Sequence, residues 1–166
     1  MAADPFFVLH QDHEVIRPKL RAFEAALDAA MNLGRAGPTE LAAFREAVTF
    51  LRTTAFEHFR REEDALLGPL EAKVGRFGTL VNVIAYDHEE IRREVSKLDA
   101  ALVALEGKAA WPHRAELHEV NRHGVFVVQY LGLHMAKEDS SLAVMARAAL
   151  GEDGLREVLR RLEGTP

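Results

Sequence analysis

With 166 residues, 48% of them hydrophobic and 28% charged, the chain is expected to form one soluble domain, because about 150 residues bury roughly 68–70% of their unfolded surface. The net charge of -5 comes without a basic cluster, which argues against nucleic-acid binding, and no apolar run has the length of a membrane span. There is no cysteine, so disulfides, thiolate metal ligands and Cys nucleophiles are excluded, and any metal is held by nitrogen and oxygen. The first residues, MAADPFFVLHQDHEV, carry no basic n-region, and a cytoplasmic location is the expectation.

Apolar residues recur at helical spacing from the start. Asp4 is placed as an N-cap with Pro5 at the first helical position, and Leu9, Ile16, Leu20, Phe23 and Leu27 form one stripe. This predicts a first helix over about 5–33, with a bend at Pro18, which leaves the Glu14 carbonyl without its amide partner. A second helix over about 38–67 carries Phe44, Val48, Leu51, Phe59 and Leu66 and is expected to stop at Gly68-Pro69. A third, over about 78–106, carries Leu80, Ile84, Ile91, Val95, Leu98 and Leu102. A fourth, over about 112–150, carries Leu117, Val127, Leu131 and Leu142, and GLREVLRRLEG forms a short C-terminal helix over about 153–163. The fold class is all-α: four long helices with short loops form an antiparallel up-and-down four-helix bundle.

An internal repeat organises these helices. Residues 12–27 (DHEVIRPKLRAFEAAL) align with 87–102 (DHEEIRREVSKLDAAL), with identities at Asp12/Asp87, His13/His88, Glu14/Glu89, Ile16/Ile91 and Arg17/Arg92. At nearly the same offset, HFRREEDALL from His58 matches HMAKEDSSLA from His134, pairing Glu62 with Glu138, Glu63 with Asp139 and Leu66 with Leu142. The bundle is therefore a duplicated two-helix unit with a pseudo-twofold axis.

A His and a Glu four apart share one helix face and can reach one ion. One such pair arises by chance, and His10/Glu14 has the same spacing. The repeat gives His58/Glu62 and His134/Glu138 more weight, each with a lone His on the partner helix. His13 interrupts an apolar stripe between Leu9 and Ile16, and His88 does so between Ile84 and Ile91. Imidazoles and carboxylates in a core are costly unless paired or metal-bound. A metal site accounts for all six, with Glu62 and Glu138 each able to bridge two ions. The donor set suits iron or manganese, and zinc fits less well without thiolate. With about six positions on each of two ions, four imidazoles, two bridging carboxylates and a shared oxo or hydroxo group leave two positions open for oxygen, peroxide or nitric oxide. Aliphatic residues such as Ile16, Leu51, Ile84, Ile91 and Val127 are expected to keep water out. The competing reading is a metal-free interaction bundle whose repeated His and Glu pair with one another.

The ordered set H…HxxxE…H…HxxxE, at His13, His58, Glu62, His88, His134 and Glu138, resembles the hemerythrin-like (HHE cation-binding) domain over about residues 5–150. The resemblance implies a non-haem di-iron centre with terminal ligands His13, His58, His88 and His134 and bridging Glu62 and Glu138. Members bind or sense oxygen, react with peroxide, or take part in iron homeostasis and iron-sulfur repair. Oxygen-carrying members have a further His one turn before the third-helix ligand, where this chain has Ile84, and repair-type members often carry a cysteine-containing N-terminal extension that is lacking here.

His10, Tyr130 and His123 are candidates for an additional ligand or a neighbour that holds one. Their plainer readings are an exposed imidazole, a core ring with a bonded hydroxyl, and a surface position. His113 and His118 are expected on the surface, and Glu63 and Asp139 beside the ligands or in solvent. The functional expectation is a di-iron domain that binds or senses a small oxidant or iron, as a monomer or homodimer. The alternatives are an oxidoreductase consuming peroxide or nitric oxide, or an iron-homeostasis or repair protein.

Overall fold

A computed structural model describes residues 4–107 and 114–164, all-α among the described residues. Helix α1 (Pro5–Leu33) is capped by the Asp4 carboxylate, which accepts from the Phe6 N–H at 3.0 Å. It stays helical through Pro18, which faces solvent. Helix α2 spans residues 38–74, with α-helical Pro38–Phe50, Phe56–Glu62 and Gly68–Val74 joined by π-helical turns at Leu51–Ala55 and Glu63–Leu67. Helix α3 is Leu80–Glu106. Helix α4 spans 114–150 and contains Arg114–Lys137, a π-turn at Glu138–Leu142 and the first part of Ala143–Gly164. That last segment breaks at Gly151, whose φ of 62° suits glycine, and resumes as α5 (152–164).

Helix α1 packs on α2 and α4, and α3 on α2 and α4, which closes the four-helix bundle. Gly124 lets α4 approach α1: a Cβ there would lie 2.7 Å from Leu27 Cδ1. The core is divided into two apolar clusters. One contains Ile16, Phe23, Phe44, Ile91, Leu98 and Leu131. The other contains Leu9, Leu66, Leu70, Ile84, Leu142 and the α5 residues Val158 and Leu162, so α5 covers one end. Along their helices His13, Glu62, His88 and Glu138 lie between these clusters and His58 and His134 at the edge of the first, all six buried.

Two expectations need correction. The second helix does not stop at Gly68-Pro69 but continues to Val74. In the preceding π-turn the Gly68 N–H reaches back five residues to the Glu63 carbonyl, and this wider pattern absorbs a residue without an N–H. His123 is not at the surface: it is 6% exposed and its Nδ1 lies 2.6 Å from Glu94 Oε2, which makes its burial tolerable. The expected start of the fourth helix near Pro112, and His113, lie outside the described residues. His118 is exposed. No helix is long and apolar enough to cross a membrane among the described residues.

Candidate metal centre

Four helices each send one imidazole to the middle of the bundle, His13 from α1, His58 from α2, His88 from α3 and His134 from α4. On α2 and α4, π-turns keep the face that carries the imidazole and the glutamate turned to the core. Residues four apart drift by about 40° round an α-helix, whereas the i→i+5 bonds of a π-turn admit an extra residue and cancel the drift. One π-turn begins directly after Glu62 and another at Glu138. His58, Glu62, Leu66 and Leu70 therefore all face the core, as do His134, Glu138, Leu142 and Ala146.

The ligating atoms form two overlapping groups, His13, His58, Glu62 and Glu138, and Glu62, His88, His134 and Glu138, each with its donor atoms within 4.8 Å of one another. Each group takes its imidazoles from one copy of the repeat, and both share the two glutamates. Glu138 divides its oxygens: Oε2 lies 3.2 Å from His13 Nε2, and Oε1 lies 2.9 Å from His134 Nε2. Glu62 Oε2 lies between the groups, 3.5 Å from His58 Nε2 and 3.3 Å from His88 Nε2.

These contacts are ion-pair distances without hydrogen-bond geometry. Both oxygens of Glu62, both of Glu138, and Nε2 of His88 and His134 are buried with no hydrogen-bond partner. Leaving such atoms unsatisfied costs about 1–3 kcal/mol each, and a cation among them removes that cost. His13 Nε2 and His58 Nε2 are 3.0 Å apart, the separation of two donors at right angles on one ion with bonds of about 2.1 Å. The residues present could therefore hold metal cations.

The outer nitrogen of every imidazole meets a carboxylate, and every carboxylate meets a cation. His13 Nδ1 is 2.9 Å from Asp139 Oδ1, which pairs with Arg17. His58 Nδ1 is 3.1 Å from Asp12 Oδ2, which pairs with Arg61 at 2.8 Å. His88 Nδ1 is 2.8 Å from Glu63 Oε1, which pairs with Arg92 at 2.8 Å. His134 Nδ1 is 3.3 Å from Asp87 Oδ2, which also receives Lys137 and the Tyr130 hydroxyl at 2.6 Å. An imidazole that donates Nδ1–H outwards turns its Nε2 lone pair to the core. This outer ring repeats as the ligands do, Asp12 with Asp87, Glu63 with Asp139, Arg17 with Arg92 and Arg61 with Lys137.

The electrostatics favour positive charge in the core. Burial opposes the charged form of His58, but Glu62, Asp12 and Glu138 outweigh it and raise the imidazole to about 10. Burial likewise opposes charge on His88, and Glu138, Glu62 and Glu63 hold it well above its ordinary value. Burial favours a neutral Glu138, yet His134, His13 and His58 keep its carboxyl well below the usual range. In the outer ring burial again favours the neutral acids, but His88 and Arg92 bring Glu63 down to about 2, and His134, Lys137 and Tyr130 bring Asp87 to about 2.

The other candidates stand outside the two groups. His10 belongs to a third, mostly exposed cluster of donor atoms with His13 and Asp139, its Nδ1 lying 3.1 Å from Asp139 Oδ1 on the outer side of His13. The Tyr130 hydroxyl donates to Asp87, on the outer side of His134. His123 pairs with Glu94 and touches neither group. Sequence reasoning did not single out Asp12, Asp87, Arg17, Arg61, Arg92 or Lys137 as parts of the site, although their repetition was the available signal.

The profile of the hemerythrin HHE cation-binding domain matches residues 4–123. The chain belongs to this family, a class of cation-binding helical bundles. The matched span holds His13, His58, Glu62 and His88; the bundle geometry adds His134 and Glu138. Neither a search of curated proteins nor one of solved structures found a match.

Proposed function

We propose that the protein is a di-iron domain that binds or senses a small oxidant such as oxygen, nitric oxide or peroxide. The observation that carries this reading is the pair of overlapping buried groups sharing Glu62 and Glu138, with orphaned core atoms. His13 and His58 would hold one ion, His88 and His134 the other, and the two glutamates both. Nitrogen and oxygen donors without thiolate suit iron, and they also admit manganese or zinc. When bound, iron supplies one-electron chemistry and open positions for a small ligand.

The chain's own part is to fix and shield. The outer carboxylates hold ring orientation and donor basicity. Phe59 stacks on His88 with ring centres 4.2 Å apart and planes 13° apart, which fixes that ligand's plane. Ile84, fully buried, stands one turn before His88, leaving no fifth imidazole at that place.

Elemental analysis with an absorption spectrum of aerobically purified protein tests the reading. About two irons per chain with charge-transfer bands is the expected result. No metal, and none taken up on anaerobic reconstitution with ferrous iron, overturns it. Stoichiometric binding of nitric oxide or oxygen then distinguishes a sensor from steady-state consumption of peroxide or nitric oxide, which marks an oxidoreductase.

A further inference from the structure

Extending the repeat upstream pairs His10 with Ala85 and Phe6 with Val81, and along the other helices Glu71 with Arg147. In the half formed by α1 and α4, the His10 ring lies against Asp139, Nδ1 to Oδ1 3.1 Å. Phe6 lies under the Arg147 guanidinium, 5.0 Å from ring centre to Cζ, and Arg147 is held by Asp4 at 2.6 Å. In the half formed by α2 and α3, the equivalent ground is a cleft of about 270 Å³. Ala85 and Val81 replace the two rings, so the space stays open.

Buried Leu67 and Val81 give the cleft an apolar base. Glu63 is part of its wall, and Glu63 Oε1 lies 2.8 Å from His88 Nδ1, so one carboxylate separates the cleft from a core imidazole. Glu63 is also the sequence neighbour of Glu62. The remaining charged lining residues are Glu71, Arg76, Glu89 and Arg92. Glu71 and Arg76 face each other at 3.6 Å. Exposed Glu89 makes no ion pair or hydrogen bond among the described residues, whereas its repeat Glu14 is held by Arg17 at 2.6 Å. Three carboxylates against two guanidiniums leave the lining net negative, and such a cleft concentrates cations. Carboxylate oxygen is also a donor suited to the ions that the core fits.

We propose that the α2–α3 cleft is the port through which divalent cations reach and leave the centre, with Glu89 and Glu63 as successive carboxylate contacts and His10 closing the equivalent place in the other half. The proposal rests on the reading of the core as a metal centre.

Cobalt(II) chloride added to chelator-stripped protein tests it, with uptake followed by visible absorption in a stopped-flow instrument and final content by elemental analysis. Ala85→His, which brings to the cleft the ring that His10 supplies opposite, is expected to slow uptake by about tenfold or more while the final content stays that of the wild type. Glu89→Gln is expected to slow uptake less, and only at low salt. It alters an exposed, unpaired side chain and so keeps the test open should Ala85→His misfold. His10→Ala, which opens the second place, is expected to load at least as fast as wild type. Wild-type rates for both Ala85→His and Glu89→Gln overturn the port, as does slowed uptake in His10→Ala. Wild-type protein that takes up no cobalt overturns the metal-centre reading itself, a result distinct from equal rates.

Discussion

Around His13 and His58, the two inner nitrogens face each other at 3.0 Å, and the Asp12 side chain that holds His58 is 29% exposed. Around His88 and His134, Phe59 stacks on one ring and meets the other edge-on at 5.4 Å, and the Asp87 side chain that holds His134 is 2% exposed. Phe59 has Met135 as its repeat, and Tyr130 has Thr54. Duplication thus preserves the ligands and their charged partners, while the packing around them has diverged. Two ions in this centre would be chemically inequivalent: the α3–α4 position is packed by Phe59 and buried Asp87 on its His134 side and borders the cleft through Glu63 on its His88 side.

The largest effects are expected where the two positions are joined. Glu138 gives one oxygen to each position, so Glu138→Ala should leave at most one ion per chain by elemental analysis, and Glu62→Ala should do the same. A full dinuclear complement in either variant would end the bridging assignment and with it the comparison of two coupled positions. Next comes the metal as a whole. An ion present at about 1,000 times its dissociation constant adds about 4 kcal/mol to stability, so chelation should lower Tm markedly, because loaded ions couple to folding. An unchanged Tm after complete chelation would favour a metal-free bundle whose His and Glu merely pair.

Much of the centre was legible because duplication lets one copy vouch for the other. His13 and His88 break apolar stripes at matching places, and His58/Glu62 and His134/Glu138 share a spacing that one copy alone would leave to chance. The outer ring was less legible because its bonds join helices: Asp12 to His58 and Glu63 to His88 are contacts that no single-helix period displays. The π-turns left no mark in residue type, which is why Gly68-Pro69 read as a stop. His123 was misplaced because its pairing with Glu94 depends on the rotation of α4 against α3. The stripe of Val120, Gly124 and Val127 was the cue that this part of α4 faces inward.

The outer carboxylates sharpen the inequivalence at the next level of effect. Removing a partner of a metal-ligating His costs about 10–100-fold in metal affinity. Asp87→Asn should fall near the upper end, since it disturbs His134, Lys137 and Tyr130 at a buried position. Asp12→Asn should fall near the lower end, since water can reach the weakened pair. Competition with a chromophoric chelator reads both affinities, and equal losses would show that burial of the outer acid does not distinguish the positions.

The smallest effect is expected from Tyr130→Phe. The change deletes one hydrogen bond to Asp87, a net loss of about 0.5–1.5 kcal/mol, and leaves the ring stacked on Phe126 with centres 5.0 Å apart. Lys137 and His134 still hold Asp87, so the variant should lose less affinity than Asp87→Asn, and only in the step that fills the α3–α4 position. The other step of a two-step titration should stay as in wild type. Should Tyr130→Phe instead match Asp87→Asn or abolish that ion, Tyr130 would be acting as a ligand itself. The contact with Asp87 would then belong only to the metal-free chain, and the two positions would differ in donor set as well as in surroundings.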